Sequence, residues 1–188
     1  MKTTMAMGLA AVLAASTAMA QDDLVMVGQM DGYSSSEALI TAELALVSSY
    51  VWRGQVLNND FVVQPQLTAS QYGVSLNVWG NYDLGDNWLG ISSDFSEFDI
   101  SLAYTLPLDV NEMSIDVGII SYTFPANGKS NIEGLGTNKE STTELFASAT
   151  VLSWRDYVIP SLTFFGDIDE VDGTYILFDI VAPYQVSD

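Results

Sequence analysis

From Thr41 to Ala182 apolar and polar residues alternate in about eight short runs. A period of two places successive side chains on opposite faces of a strand, so one face is apolar and the other polar. In the cleanest run, Glu97 to Leu106, one face carries Phe98, Ile100, Leu102, Tyr104 and Leu106, and the other Glu97, Asp99, Ser101, Ala103 and Thr105. The remaining runs predict strands over Thr41 to Arg53, Phe61 to Ser70, Gly73 to Tyr82, Met113 to Phe124, Thr143 to Leu152, Tyr157 to Phe165 and Thr174 to Ala182. Pro65 cannot donate to a ladder and predicts a local defect or bulge, and Pro160 makes the seventh strand the least secure.

Loop length adds the topology. The turns near Gln71-Tyr72, Pro107 to Asn111 and Ser153 to Asp156 are short, whereas Leu84 to Ser93, Pro125 to Ser141 and Gly166 to Gly173 are longer. Alternating short and long connections between alternating strands are the pattern of an all-β, antiparallel, up-and-down transmembrane β-barrel, with its short turns on the periplasmic side. Aromatics at the strand ends fit two interfacial girdles: Tyr50, Trp52, Tyr82, Tyr122 and Phe124 toward the long loops, Tyr104, Trp154 and Tyr157 toward the short turns.

The first 20 residues read as a cleavable export signal: Lys2, an apolar run from Met5 to Thr17, then Ala18-Met19-Ala20. The run is short and is followed by Asp22 and Asp23 rather than a basic stop signal, which argues against a retained helix. Residues 21–40 form a polar lead-in, and 41–188 the barrel domain. Past the signal, Arg53, Lys129, Lys139 and Arg155 are the only basic residues against 24 acidic ones, making the mature chain one unit more negative than the −19 of the whole. Nucleic-acid binding is excluded on that balance, since phosphate recognition needs clustered Lys and Arg. No cysteine or histidine is present, which removes disulfides, thiolate and imidazole metal sites and Ser-His-Asp chemistry.

Ser49-Tyr50-Val51-Trp52-Arg53-Gly54, the following Asn58, Val63-Gln64-Pro65-Gln66, Val78-Trp79-Gly80-Asn81 and Phe98 to Tyr104 together resemble the TorF-type porin family of bacterial outer membranes. The resemblance covers most of residues 41 to 125 and thins beyond. It implies an outer-membrane barrel with a channel role, surrounded by outer-membrane lipid and lipopolysaccharide and inserted by the barrel-assembly machinery; it supplies no catalytic residues and no cofactor. One departure is the ending. Barrels of this kind close on an aromatic residue, whereas this chain stops at Gln185-Val186-Ser187-Asp188, and Ile180 to Tyr184 resembles a strand running into a hairpin. Further strands are therefore expected beyond Asp188, the alternative being a complete eight-stranded barrel with a polar tail.

The polar faces nominate Glu43, Arg53, Gln64, Gln66, Asn77, Asp99, Asp116, Glu144 and Asp179 as lumen-lining residues. A carboxylate-rich passage favours small polar or cationic solutes. The apolar faces nominate Phe98, Ile100, Leu102, Ile115, Val117 and Ile119 for contact with lipid. The acidic loop Asp167 to Gly173 has the wrong spacing for a helix-flanked calcium loop, because Val171 takes a ligand position. No carboxylate pair is singled out by spacing, so no enzyme is expected. The alternatives are a closed, non-conducting outer-membrane barrel with a structural or attachment role, and a secreted soluble β-barrel or sandwich binder whose apolar faces form a core.

Overall fold

A computed structural model describes residues 6–12, 38–85, 94–108, 112–125, 141–154 and 156–182. Its main sheet runs β2 (Leu39–Val47), β5 (Val62–Gln71), β6 (Val74–Asp83), β7 (Phe95–Thr105), β8 (Met113–Thr123), β9 (Thr142–Val151), β10 (Ile159–Asp167) and β11 (Thr174–Val181). Each pairs antiparallel with the next, so the eight strands form an up-and-down sheet. β1 (Ala6–Val12), inside the stretch read as the export signal, pairs parallel with β2 at the edge. β11 holds the other edge and does not pair with β2, so the sheet is open rather than the closed barrel expected.

The first strand is shorter than the sequence pattern suggests. It leaves the sheet after Val47, and the chain then makes a separate two-stranded hairpin, β3 (Tyr50–Trp52) and β4 (Gln55–Asn58). The turn residues Arg53 (φ 47) and Gly54 (φ 79) are both left-handed. That pair of conformations suits the twist of a two-residue hairpin but costs a non-glycine residue about 1–2 kcal/mol. Tyr72 (φ 53) and Gly73 (φ 78) repeat the arrangement between β5 and β6.

Pro65 produces no register shift. The β5–β6 ladder lapses at Gln64 and Pro65 and resumes in the same register at Gln66↔Trp79, while Gln64 Nε2 donates to Asn81 Oδ1 at 3.0 Å across the gap. The shift lies one strand further on, between Asn81 and Tyr82, where Ser96 is the extra residue on β7. Past it Phe95 stacks on Phe98 at 4.4 Å and meets Tyr82 edge-on at 5.0 Å, and a Cβ on Gly80 would lie 3.1 Å from the Phe98 ring.

The two faces differ in burial. One face exposes Leu44, Leu46, Leu67, Leu76, Val78, Phe98, Ile100, Leu102, Val117, Ile119, Leu145, Phe164, Ile176, Phe178 and Ile180. The other buries Gln64, Gln66, Asn77, Asp99, Ser101, Asp116, Glu144, Ser148 and Thr163, and the β3–β4 hairpin folds over this inner face. Two apolar clusters share it with the polar groups: Val47, Tyr50, Val62 and Trp79 at the hairpin, and Ala103, Ile120, Tyr122, Phe146 and Phe165 across β7 to β10. Tyr50 and Tyr122, expected in an interfacial girdle, are thus buried inside; Tyr104, Trp154 and Tyr157 are exposed.

Candidate functional site

The inner face is a polar surface hydrogen-bonded largely to itself. Asn58 Nδ2 donates to Asp83 Oδ1 at 2.6 Å, and Asn81 Nδ2 reaches the same oxygen at 3.0 Å and Ser96 Oγ at 2.8 Å. Nearer the short turns, Thr105 Oγ1 donates to Asp116 Oδ1, Ser148 and Thr163 share a bond of 2.8 Å, and Asn77 Nδ2 donates to Thr68 Oγ1 at 2.8 Å. Burying such groups without partners would cost a few kcal/mol each, so these bonds let a strongly acidic face pack.

Arg53 is the only basic residue among the described residues. Its position on the hairpin tip carries the guanidinium across the inner face to β9, where Nη1 and Nη2 donate to Glu144 Oε1 and Oε2 at 2.7 and 2.6 Å. Tyr122 Oη donates to Glu144 Oε2 at 2.9 Å. Three rings surround the guanidinium carbon: Tyr175 at 4.4 Å, Trp52 at 4.5 Å and Phe165 at 4.8 Å. The two charged side chains retain only 9% and 7% of their exposure. Each desolvated cation–π contact contributes about 1–2 kcal/mol, and a bidentate charged pair adds geometric specificity. Together they outweigh the roughly 1–2 kcal/mol of strain at the Arg53 backbone.

Beside this box lies a cavity of about 740 Å³ lined by Trp52, Arg53, Leu57, Glu97, Tyr122, Phe124, Glu144, Glu170 and Tyr175 among others. It sits at the long-loop end of the sheet. Glu97 receives the Tyr50 hydroxyl at 2.9 Å. Asp167 Oδ2 accepts from Thr142 Oγ1 at 2.6 Å, and its Oδ1 accepts the Asp169 and Val171 amides at 2.9 and 3.0 Å, so that carboxylate organises the acidic loop rather than projecting from it. Among the described residues, Glu97, Glu144, Asp167 and Glu170 in the lining face one cation, Arg53.

Of the nine residues expected on the polar face, Gln64, Gln66, Asn77, Asp99, Asp116 and Glu144 are buried on the inner face, the Arg53 side chain is nearly buried, and Glu43 and Asp179 are half-buried. Arg53 and Glu144 are joined by hydrogen bonds, and Glu43 and Gln66 lie opposite one another in the β2–β5 ladder. Among the residues expected to face outward, Phe98, Ile100, Leu102, Val117 and Ile119 are exposed and Ile115 is half-buried. Sequence reasoning missed Trp52, Glu97, Tyr122, Phe165 and Tyr175 as parts of one site. The available signal was the Arg-Gly turn at Arg53-Gly54 between Val51 and Val56, which marks a hairpin rather than a continuous strand.

A family model described as a bacterial protein of unknown function (Gcw_chp) matches residues 31–187. No curated protein and no solved structure matches the chain.

Proposed function

We propose that this chain, which belongs to the bacterial Gcw_chp family, is an outer-membrane β-barrel of the TorF porin type that passes small polar or cationic solutes by diffusion. The observation that carries this reading is the inverted sheet, with large apolar residues such as Ile100, Phe178 and Ile176 exposed at 55%, 63% and 62% while Asp99 and Asp116 are buried at 0% and 3%. Water-soluble sheets bury the apolar face, whereas a membrane barrel turns it to lipid and keeps polar groups toward the lumen. Eight antiparallel strands are the smallest number common in such barrels, and an even count lets first and last strands pair antiparallel once the edge beside β2 is free. A lumen rich in carboxylates then favours cations.

The folded-in hairpin favours a second reading, a closed barrel with a structural role, because Tyr50, Trp52 and Arg53 occupy space a solute would need. Planar-bilayer recording of the full chain in a KCl gradient separates the two. Steady cation-selective current that falls when Asp99 and Asp116 are changed to Asn supports the channel; insertion without current refutes it in favour of the closed barrel.

A further inference from the structure

The box around Arg53 has the composition of a receptor for an organic cation. Three aromatic rings lie 4.4 to 4.8 Å from the guanidinium carbon, a carboxylate binds it through both oxygens, and a tyrosine hydroxyl holds that carboxylate. Aromatic faces and a fixed carboxylate are how a weakly hydrated, planar or quaternary cation is recognised. The occupant, however, belongs to the chain, and it is delivered by a turn whose own residue sits at φ 47, a conformation that L-residues resist. The cavity of about 740 Å³ opens directly on the box and adds Glu97, Asp167 and Glu170 to its walls, more negative charge among the described residues than Arg53 neutralises.

From this arrangement we infer that the box is a binding site for solutes bearing a guanidinium or alkylammonium group, and that Arg53 is a built-in occupant which such a solute displaces. It rests on the reading of the inner face as open to solute at its long-loop end. Displacement swings the β3–β4 hairpin off Glu144, Phe165 and Tyr175 and clears the path it covers. Because Arg53 is tethered by a short hairpin, it competes as an intramolecular ligand, so a solute cation exchanges with it only once its concentration rivals the effective concentration of the tethered side chain. Removing Arg53 must therefore raise the apparent affinity by the factor its occupancy imposes.

The test is a titration of the full chain, folded in phosphatidylcholine vesicles, with methylguanidinium, followed by tryptophan fluorescence; Trp52 sits on the box. The neutral isostere methylurea is the control. The wild-type chain should respond saturably to methylguanidinium and not to methylurea. Arg53→Ala should bind methylguanidinium at least tenfold more tightly, and Arg53→Ala with Glu144→Gln should lose that binding. Equal responses to the two probes, or affinity unchanged by Arg53→Ala, overturns the inference. If Arg53→Ala does not fold, the wild-type comparison of the two probes decides alone. Saturable binding without bilayer current keeps the site and defeats the channel reading, whereas current without binding does the reverse.

Discussion

Changing Ile100 to Arg asks whether the exposed apolar face meets water or lipid. Ile100 lies at the middle of β7, between Val78 and Ser121 on the flanking strands, and is 55% exposed. In water, an exposed strand position away from special features tolerates substitution to within about 0.5 kcal/mol. At the midplane of a bilayer an outward arginine costs about 2–4 kcal/mol on a barrel surface, falling to about 0–1 kcal/mol near the interface. Leu108, just past the end of β7 and 47% exposed, gives the interfacial control with nearly the same exposure. Ile100→Arg should then weaken the folding equilibrium in vesicles by roughly 30- to 700-fold, tenfold for every 1.4 kcal/mol, while Leu108→Arg changes it by less than about fivefold. The assay is reversible urea unfolding in phosphatidylcholine vesicles, read by tryptophan fluorescence at constant m-value so that a shift in midpoint reports stability alone. Equal effects of the two substitutions, within about 0.5 kcal/mol, would refute the membrane reading, because depth and not exposure is what separates the sites.

Three further perturbations test the interior. Gly118→Ala would place a Cβ 2.5 Å from both the Leu102 carbonyl oxygen and the Phe146 ring, an overpacking expected to cost about 1–3 kcal/mol in the same urea titration; combining it with Phe146→Leu should recover part of that loss, and strict additivity would contradict the contact. Gly54→Ala meets nothing within 4 Å but sits at φ 79, so it should destabilise by about 1 kcal/mol through backbone strain alone, seen as faster amide exchange confined to residues 50–58. Tyr50→Phe removes the buried hydroxyl that donates to Glu97; a bond to a charged acceptor is worth about 1.5–3 kcal/mol, and a change under about 0.5 kcal/mol in urea stability would show that Glu97 does not depend on it.

The strands were legible because a period of two survives any register, and Glu97 to Leu106 or Thr174 to Ala182 could be read without knowing their neighbours. The break at Ser48-Ser49 was not, because apolar and aromatic residues run through Tyr50, Val51 and Trp52 with no proline or glycine to stop them. Continuing the strand would have put Tyr50 and Trp52 on the same face as Leu44 and Leu46; the hairpin instead turns them inward, and with them Arg53. Phe95 changes face for a different reason, a bulge at Ser96 that no residue type announces. The candidate site could not be assembled from the sequence because its parts lie on the hairpin, β7, β8, β9, β10 and β11, and only contacts over long separations, such as the 91 positions from Arg53 to Glu144, bring them together.

The edge strand β11 has a consequence for how copies of the chain meet one another. Among the described residues no strand pairs with its outer side, its outward residues are Ile176, Phe178 and Ile180, and the charge that could blunt it, Asp179, points inward. Such an edge recruits any strand it meets, its own kind included. With no lysine on that strand to discourage pairing, the safeguard is global: a chain with a formal charge of −19 repels its copies at long range. The surplus of acid thus keeps copies of the chain apart, and its effect weakens as salt shortens the reach of the repulsion.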